Sequence, residues 1–361
     1  SQASAFAEEL CVVTQDVSGN DAIDMSGAGA ALLCDVNDTE VMYAKNAHER
    51  LYPASLTKVM TALVALKYGS MDQMLTATSA VNITERGAQL CGLKPGDSMT
   101  LAQALHILLL YSANDVAMMI AEGVSGSVDG FVAMMNEEAQ RIGATNTSFA
   151  NPHGLTADNH YTTAYDLYLI FNEAIQYETF REIIHMSNYS TIYHDKNGAE
   201  KEINVRTTNR FLRGDVPAPE NITIIGGKTG TSEKIDVFDE NGQRVQDKIV
   251  SFVGIAPMDD PEYIILAALD TPSRTTGIYI SGGVMAAPTV GAVMADVLPY
   301  LGVKQSFSED DLGGKQIVME DLTGMTAKDA QALLKKEGLT AAISGSGETV
   351  TGQIPSPGQT V

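Results

Sequence analysis

Cysteine is scarce in this chain: Cys11, Cys34 and Cys91 are the only three among 361 residues. That excludes a disulfide-rich scaffold and leaves at least one thiol unpaired; Cys11 and Cys34 could pair, but buried small hydrophobes are the expected role for all three. Basic residues are also few, 23 against 45 acidic ones, for a formal charge of −22. Nucleic acid is therefore excluded as a partner, because phosphate binding needs a clustered basic surface. No run reaches the ~18 consecutive apolar residues of a membrane span, so the chain as it stands is expected to be soluble, meeting a membrane only through segments outside it. Repeats and low-complexity tracts are absent as well. What remains, 44% apolar and 19% charged residues, suits a globular protein long enough for a large core and a second domain. Near the start, Ala5-Phe6-Ala7 before Glu8-Glu9 reads like the cleavage end of a secretory signal, which predicts export.

The pattern begins with two alternating runs, Ala30–Asp35 and Val41–Lys45, around Asn37-Asp38, which predict a β-hairpin. Helical spacing follows over Leu56–Tyr68, stopped by Gly69, then over Leu101–Tyr111 behind a Thr100/Gln103 capping box. Val128–Ile142 and Thr163–Ile175 repeat it. Past residue 186 the period becomes that of strands. Asn197-Gly198 predicts a hairpin between Ser190–Tyr193 and Glu202–Val205. Thr223–Lys228, Ile249–Ala256 and Tyr263–Leu269 are further strands, and Thr289–Tyr300 a last helix. Strands at both ends thus bracket a block of helices. The economical layout is an α+β domain over residues 1–302, with one antiparallel sheet built from both ends and the helices inserted. Residues 303–314 read as a linker, and 315–361 as a small β-α-β-β unit around a helix at Thr326–Lys336.

Three short segments carry chemistry. In Pro53-Ala54-Ser55-Leu56-Thr57-Lys58, a serine and a lysine three apart at a helix start share one face. The lysine can activate the serine only when neutral, which takes a pKa depression of about three units, about 4 kcal/mol, by burial or a neighbouring cation. Tyr111-Ser112-Ala113-Asn114-Asp115 interrupts two apolar helices and offers a hydroxyl to relay a proton and an amide to orient a peptide. Gly226-Gly227-Lys228-Thr229-Gly230-Thr231 lies on an edge-strand candidate. It supplies a fixed cation, hydroxyls, and in Gly230 a place where a substrate backbone can approach. Each triplet alone is common; S-x-x-K occurs about once by chance in a chain this long.

In that order, S-x-x-K, S-x-N and K-T-G resemble the penicillin-binding protein and serine β-lactamase superfamily. Leu51–Ala62, Leu109–Glu122, Phe131–Phe149, Asn151-Pro152-His153-Gly154-Leu155 and Thr163–Leu167 are similar to low-molecular-mass D-alanyl-D-alanine carboxypeptidases, over about residues 28–225. From Gly226 to about 302 the likeness shifts. Lys228–Lys234, Ser251–Pro257 and Ala286-Ala287-Pro288 resemble class B penicillin-binding proteins, which are transpeptidases. Thr231 stands where the carboxypeptidases usually have an aromatic or histidine. The tail from Asp321 to Gly358 resembles a PASTA domain, and stops at Val361 before the last strand such domains usually have.

The resemblance implies that Ser55 attacks the carbonyl of a penultimate D-alanine and becomes acylated, with Lys58 taking its proton. Ser112 and Lys228 would pass a proton to the departing D-alanine amine. Asn114 would hold the substrate's peptide group, and Thr229 and Thr231, beside Lys228, the terminal carboxylate. The N–H groups of Ser55 and Thr231 would form the oxyanion hole. It further implies a peptidoglycan stem peptide ending in D-Ala-D-Ala as substrate, β-lactams as covalent inhibitors, no metal or cofactor, and a place on the outer face of a bacterial membrane or in the wall. Hydrolysis is the expected outcome, because nothing in Gly226–Leu269 obviously builds a groove for an amine acceptor; class B transpeptidation is the alternative.

Three other protein classes share parts of this pattern. A class A β-lactamase needs a glutamate in an E-x-x-L-N context, which is missing. A zinc D,D-peptidase could draw on Glu182-Ile183-Ile184-His185 and on His153 and His160, but no H-E-x-x-H is present and solvated loop histidines are expected instead. A β-lactam-sensing or wall-binding protein without turnover would keep the motifs and differ only in released D-alanine.

Overall fold

The computed structural model describes residues 10–18, 27–213, 226–234, 238, 241–243, 247–256, 262–272, 285–286, 288–290, 318–336, 339, 341, 347–353 and 356–358. The predicted first hairpin is present as β1 (Ala30–Asp35) and β2 (Glu40–Lys45). Its turn is closed by Asp35, whose Oδ1 accepts from the N–H groups of Asn37 and Asp38 at 3.0 and 2.9 Å. A short 3₁₀ turn, Ala54–Leu56, runs directly into α1 (Thr57–Tyr68). The chain continues through β3 (Met74–Thr76), β4 (Ser98–Thr100), α2 (Leu101–Leu110), α3 (Asn114–Ser125), α4 (Val128–Arg141), α5 (Ala164–Ala174) and α6 (Glu178–His185). Thr100 and Gln103 form the expected capping box of α2.

The second hairpin is β5 (Asn188–His194) with β6 (Glu200–Arg206), turning at Gly198 with φ 78°. Then come β7 (Gly226–Glu233), β8 (Lys248–Ala256) and β9 (Tyr263–Asp270). Five strands form an antiparallel sheet in the order β2-β1-β9-β8-β7, so strands from before and after the helices do meet, with Ala30 opposite Ala268 and Asp35 opposite Tyr263. One sheet is not enough, however. The second hairpin belongs to a separate sheet, β3-β4-β5-β6, whose first two members are three-residue strands too short to show a period.

Alternation divides the five-stranded sheet cleanly. Ala30, Leu32, Cys34, Ile264, Leu266 and Ala268 face the helices, while Ala31, Leu33, Ile265, Ala267 and Phe252 join a second cluster on the opposite face. Helix α1 is buried from Thr57 to Ala65 without a gap, because it runs through the middle of the helical block. Among the described residues of the tail, α7 (Ala327–Lys336) is present, capped by Thr326. Met319, Leu322 and Ala330 form a small core of their own. Where the last strand of that unit is expected, Thr349–Gln353, Thr349 makes an isolated bridge to Thr326, while the strand expected at Lys315–Glu320 lies partly outside the described residues. The signal-like Ala5–Glu9, the linker 303–314, most of the predicted helix Thr289–Tyr300 and most of Leu339–Ser344, where the β-α-β-β unit places its second strand, lie outside the described residues.

Candidate active site

Ser55 sits in the 3₁₀ turn that opens α1, half-buried, after an Ala54 held at φ 50°. A left-handed non-glycine residue persists only where its surroundings fix it. Gly154 supplies that constraint. With φ 92°, it approaches so closely that a Cβ there would lie 1.8 Å from Ala54 O and 3.1 Å from Ser55 N. One helical turn on, Lys58 is fully buried.

The Lys58 amine has three neighbours: Ser55 Oγ at 3.2 Å, Asn114 Oδ1 at 2.7 Å and the His153 carbonyl oxygen at 2.5 Å. Burial holds this lysine well below its ordinary pKa, the nearby Lys228 pushes the same way, and Asp115 opposes both. A neutral amine has two N–H donors and one lone pair. The Asn114 and His153 oxygens can only accept, so they take the two donors. The lone pair is left for the one neighbour with a proton to give, the Ser55 hydroxyl. This is the arrangement of a nucleophile with its base.

Ser112 and Asn114 reach the site from the junction of α2 and α3. Ser112 is buried at φ 64°, and its Oγ accepts from Lys228 Nζ at 3.0 Å. The Asn114 N–H donates to Gln89 O at 2.8 Å. Next to it, the buried Asp115 carboxylate accepts from the N–H groups of Cys91, Gly92 and Leu93, pinning that loop across the start of α3.

Strand β7 lies on the sheet edge, as the sequence pattern anticipated, although it runs past Lys228 to Glu233. Burial lowers the Lys228 amine to about 7, so both lysines of the site sit far from the usual range. Thr229 Oγ1 donates to Thr208 Oγ1 at 2.9 Å, and Thr231 is exposed. Gly230 is required for packing as well as for access. A Cβ there would meet Ser251 Oγ at 2.5 Å and both Leu56 Cγ and Pro53 O at 3.3 Å. The strand therefore lies against the serine's own turn, which brings the Lys228–Thr231 segment to the same end of α1 as Ser55 and Lys58.

The motif pattern did not reveal what holds them. The Asn151–Leu155 segment is a turn closed by Asn151, whose Oδ1 accepts from Gly154 N at 2.7 Å. Its carbonyls do the work: His153 O holds Lys58, and Pro152 O accepts from Thr61 Oγ1 at 2.6 Å. Thr208 was missed because a lone threonine outside any motif carries no pattern.

The expectation of solvated loop histidines fails for His153 and His160, which are 8% and 1% exposed. His160 Nδ1 accepts from Ala150 N at 2.9 Å, so its Nε2 donates to Thr57 Oγ1 at 2.8 Å and the ring braces α1. Burial, reinforced by Lys58, lowers His153 to about 3 and His160 to about 4, keeping both neutral. Among the described residues no group of three histidine, cysteine or acidic side chains is placed to hold a metal.

The family model for D-alanyl-D-alanine carboxypeptidase, Peptidase_S11, matches residues 17–237, more than half of the chain, and the chain belongs to that family. A PASTA domain model matches residues 317–361. The D-alanyl-D-alanine carboxypeptidase DacF of Bacillus subtilis is 34% identical over 193 residues, 52% of this chain and 48% of that protein. DacC of Escherichia coli is 32% identical over 238 residues, 63% of this chain and 54% of that protein. The chain thus spans about half the length of these curated relatives. Stage V sporulation protein D of Bacillus subtilis is 37% identical over 145 residues, 38% of this chain and 21% of that protein. Among solved structures, a D-alanyl-D-alanine carboxypeptidase from Mycobacterium tuberculosis is similar at TM-score 0.58 and 26% identity, covering 82% of this chain and 96% of that one. The DD-transpeptidase of Streptomyces K15 shares the fold at TM-score 0.59 and 21% identity, covering 79% and 100%.

Proposed function

We propose that this protein is a serine-type D-alanyl-D-alanine carboxypeptidase that trims peptidoglycan stem peptides through an acyl-serine and is blocked by β-lactams. One observation carries the reading: the buried Lys58 amine, its donors taken by Asn114 Oδ1 and His153 O, faces Ser55 Oγ at 3.2 Å.

Ser55 attacks the carbonyl of the penultimate D-alanine as Lys58 takes the hydroxyl proton. The oxyanion is met by the N–H groups of Ser55 and Thr231, a contribution of ~3–4 kcal/mol when one donor is lost. Ser112, already bonded to Lys228, returns a proton to the leaving amine. Thr229, Thr231 and Lys228 receive the terminal carboxylate, Asn114 orients the peptide, and Gly230 keeps the strand's approach open. Water then releases the acyl group.

The exposed position of Thr231 on edge strand β7 favours a second outcome, transfer to an amine. An acceptor must be held in a defined orientation, whereas water needs no site, and among the described residues of Gly226–Leu269 nothing beyond Thr231 obviously builds such a groove. The domains follow the same reading: a catalytic unit over 1–302, a linker over 303–314 and a PASTA-like unit over 315–361, working on the outer face of the membrane or in the wall. To test it, a peptide ending in D-Ala-D-Ala is supplied with and without a glycine-type amine and the products are separated. Tetrapeptide and free D-alanine are expected. Mainly exchanged product at millimolar amine would make the protein a transpeptidase, and no turnover with intact β-lactam labelling would make it a sensor.

A further inference from the structure

The three cysteines occupy two environments. Cys91 lies, partly exposed, in the loop pinned by Asp115. Cys11 and Cys34 are both 0% exposed and belong to the same cluster between the five-stranded sheet and the helices. Cys34 points inward with Ala30 and Leu32, next to a β-bulge between Leu33 and Cys34. Cys11 Sγ lies 3.2 Å from the carbonyl oxygen of Asp35, the residue after Cys34, and 3.6 Å from Glu40 O. The proximity of Cys34 lowers the Cys11 thiol, and Cys11 together with burial raises that of Cys34.

The segment bearing Cys11 is a strap, residues 10–17, laid across the sheet and the helical block. Val17 pairs with Ala44 through two bonds of 2.9 Å. Asp16 accepts from Asn46 N at 2.9 Å, and His48 Nε2 meets Val13 O at 2.7 Å. At the other end, Cys11 N donates to Tyr168 Oη at 3.1 Å and Cys11 O accepts from Tyr165 Oη at 3.0 Å. Both tyrosines belong to α5, which packs against α1 and so backs the Ser55 turn. Cys11 Sγ lies on the carbonyl of the residue that follows Cys34, and both side chains belong to one buried cluster, which brings the two thiols together. Two thiols buried together, with no third cysteine near, are a pair preset for oxidation.

We propose that Cys11 and Cys34 are a disulfide site, closed by a small disulfide oxidant and bolting the N-terminal strap to β1 behind the catalytic helices. The Cys11 thiolate attacks a sulfur of an oxidant such as oxidised glutathione, giving a mixed disulfide and one glutathione thiolate. The Cys34 thiolate then attacks the Cys11 sulfur and displaces the second glutathione, so that two protons and two electrons leave the chain. Because neither thiol is exposed once the strap is seated, exchange takes place as the strap docks.

The test uses the whole chain, refolded with oxidised glutathione, then denatured and alkylated with iodoacetamide. Mass spectrometry should find one label, on Cys91, and a linked Cys11–Cys34 peptide; reduction first should give three labels. A phosphine reductant should lower the melting temperature of the wild type by about 6 °C, as expected for a closed loop of this size, and leave that of Cys34→Ala unmoved. Three labels without reduction, a bridge that includes Cys91, or a reductant-independent melting temperature in the wild type would each overturn the proposal. None of these readouts depends on the catalytic reading.

Discussion

Replacing Gly154 by alanine should disable the nucleophile without touching it. The added Cβ would lie 1.8 Å from Ala54 O and 2.4 Å from Ala54 C, and such contacts are not tolerated below 3.0 Å. Something must therefore move by about 1.2 Å, and there are two choices. If the Ala54–Ser55 turn retreats, Ser55 Oγ leaves the Lys58 amine. If the Asn151–Leu155 turn retreats, it takes with it the His153 carbonyl that holds Lys58. Either way the serine and its base lose register, and a misplacement of ~1 Å costs roughly 10²-fold, or ~2.7 kcal/mol of activation free energy. Left-handed backbone at alanine adds a folding cost of about 1–2 kcal/mol. The assay is the second-order rate of fluorescent penicillin labelling, with melting temperatures in parallel. Gly126→Ala is the control, since Gly126 has φ 86° and nothing within 4 Å, so it carries the backbone cost without the clash. A Gly154→Ala protein labelling within threefold of the Gly126→Ala protein would refute the argument that this contact sets the site.

Lys58→Arg should label orders of magnitude more slowly, no faster than Lys58→Ala, because a guanidinium stays protonated and has no lone pair for Ser55; recovery by arginine would show that charge, not basicity, is what the position supplies. Burial lowers Lys228 to about 7 while the unfolded side chain titrates near ~10.4, so between those values the unfolded chain holds the extra proton and stability falls as pH drops, levelling off below about 7. Lys228→Met should flatten that slope between pH 7 and 10, as measured by denaturant melts, and an unchanged slope would place the titration elsewhere. A chain ending near Gly302 should keep its penicillin labelling rate, since among the described residues the tail's cluster of Met319, Leu322 and Ala330 draws on none before 318; insolubility of that chain would mean that the tail packs on the catalytic unit.

The parts of the fold that were legible are those with a repeating local signal. An alternating run marked β1 and short apolar runs marked β8 and β9, strands that are buried on both faces of the sheet. The capping box at Thr100 and the Asn-Gly turn at 197–198 announced themselves through backbone chemistry that few other residues satisfy. Strands β3 and β4 gave no such signal at three residues each, so the second sheet went unseen. The same division holds at the site. Ser55, Lys58, Ser112, Asn114 and the β7 triplet are side-chain functions and leave a motif. The group that completes the lysine's environment is the carbonyl oxygen of His153, and a backbone atom has no letter in the sequence. His153 and His160 were misjudged as solvated for a related reason: the elements that bury them come from distant parts of the chain, as with Thr57 and His160.

The central claim is that Ser55 is the nucleophile and Lys58 its base. The most direct measurement is mass spectrometry of the protein after incubation with penicillin, followed by mapping of the modified peptide. The account predicts a single acyl adduct on Ser55, none in Ser55→Ala, and an adduct that forms faster as pH rises through the depressed range of Lys58. An adduct on any other residue, or undiminished labelling of Ser55→Ala, would contradict it.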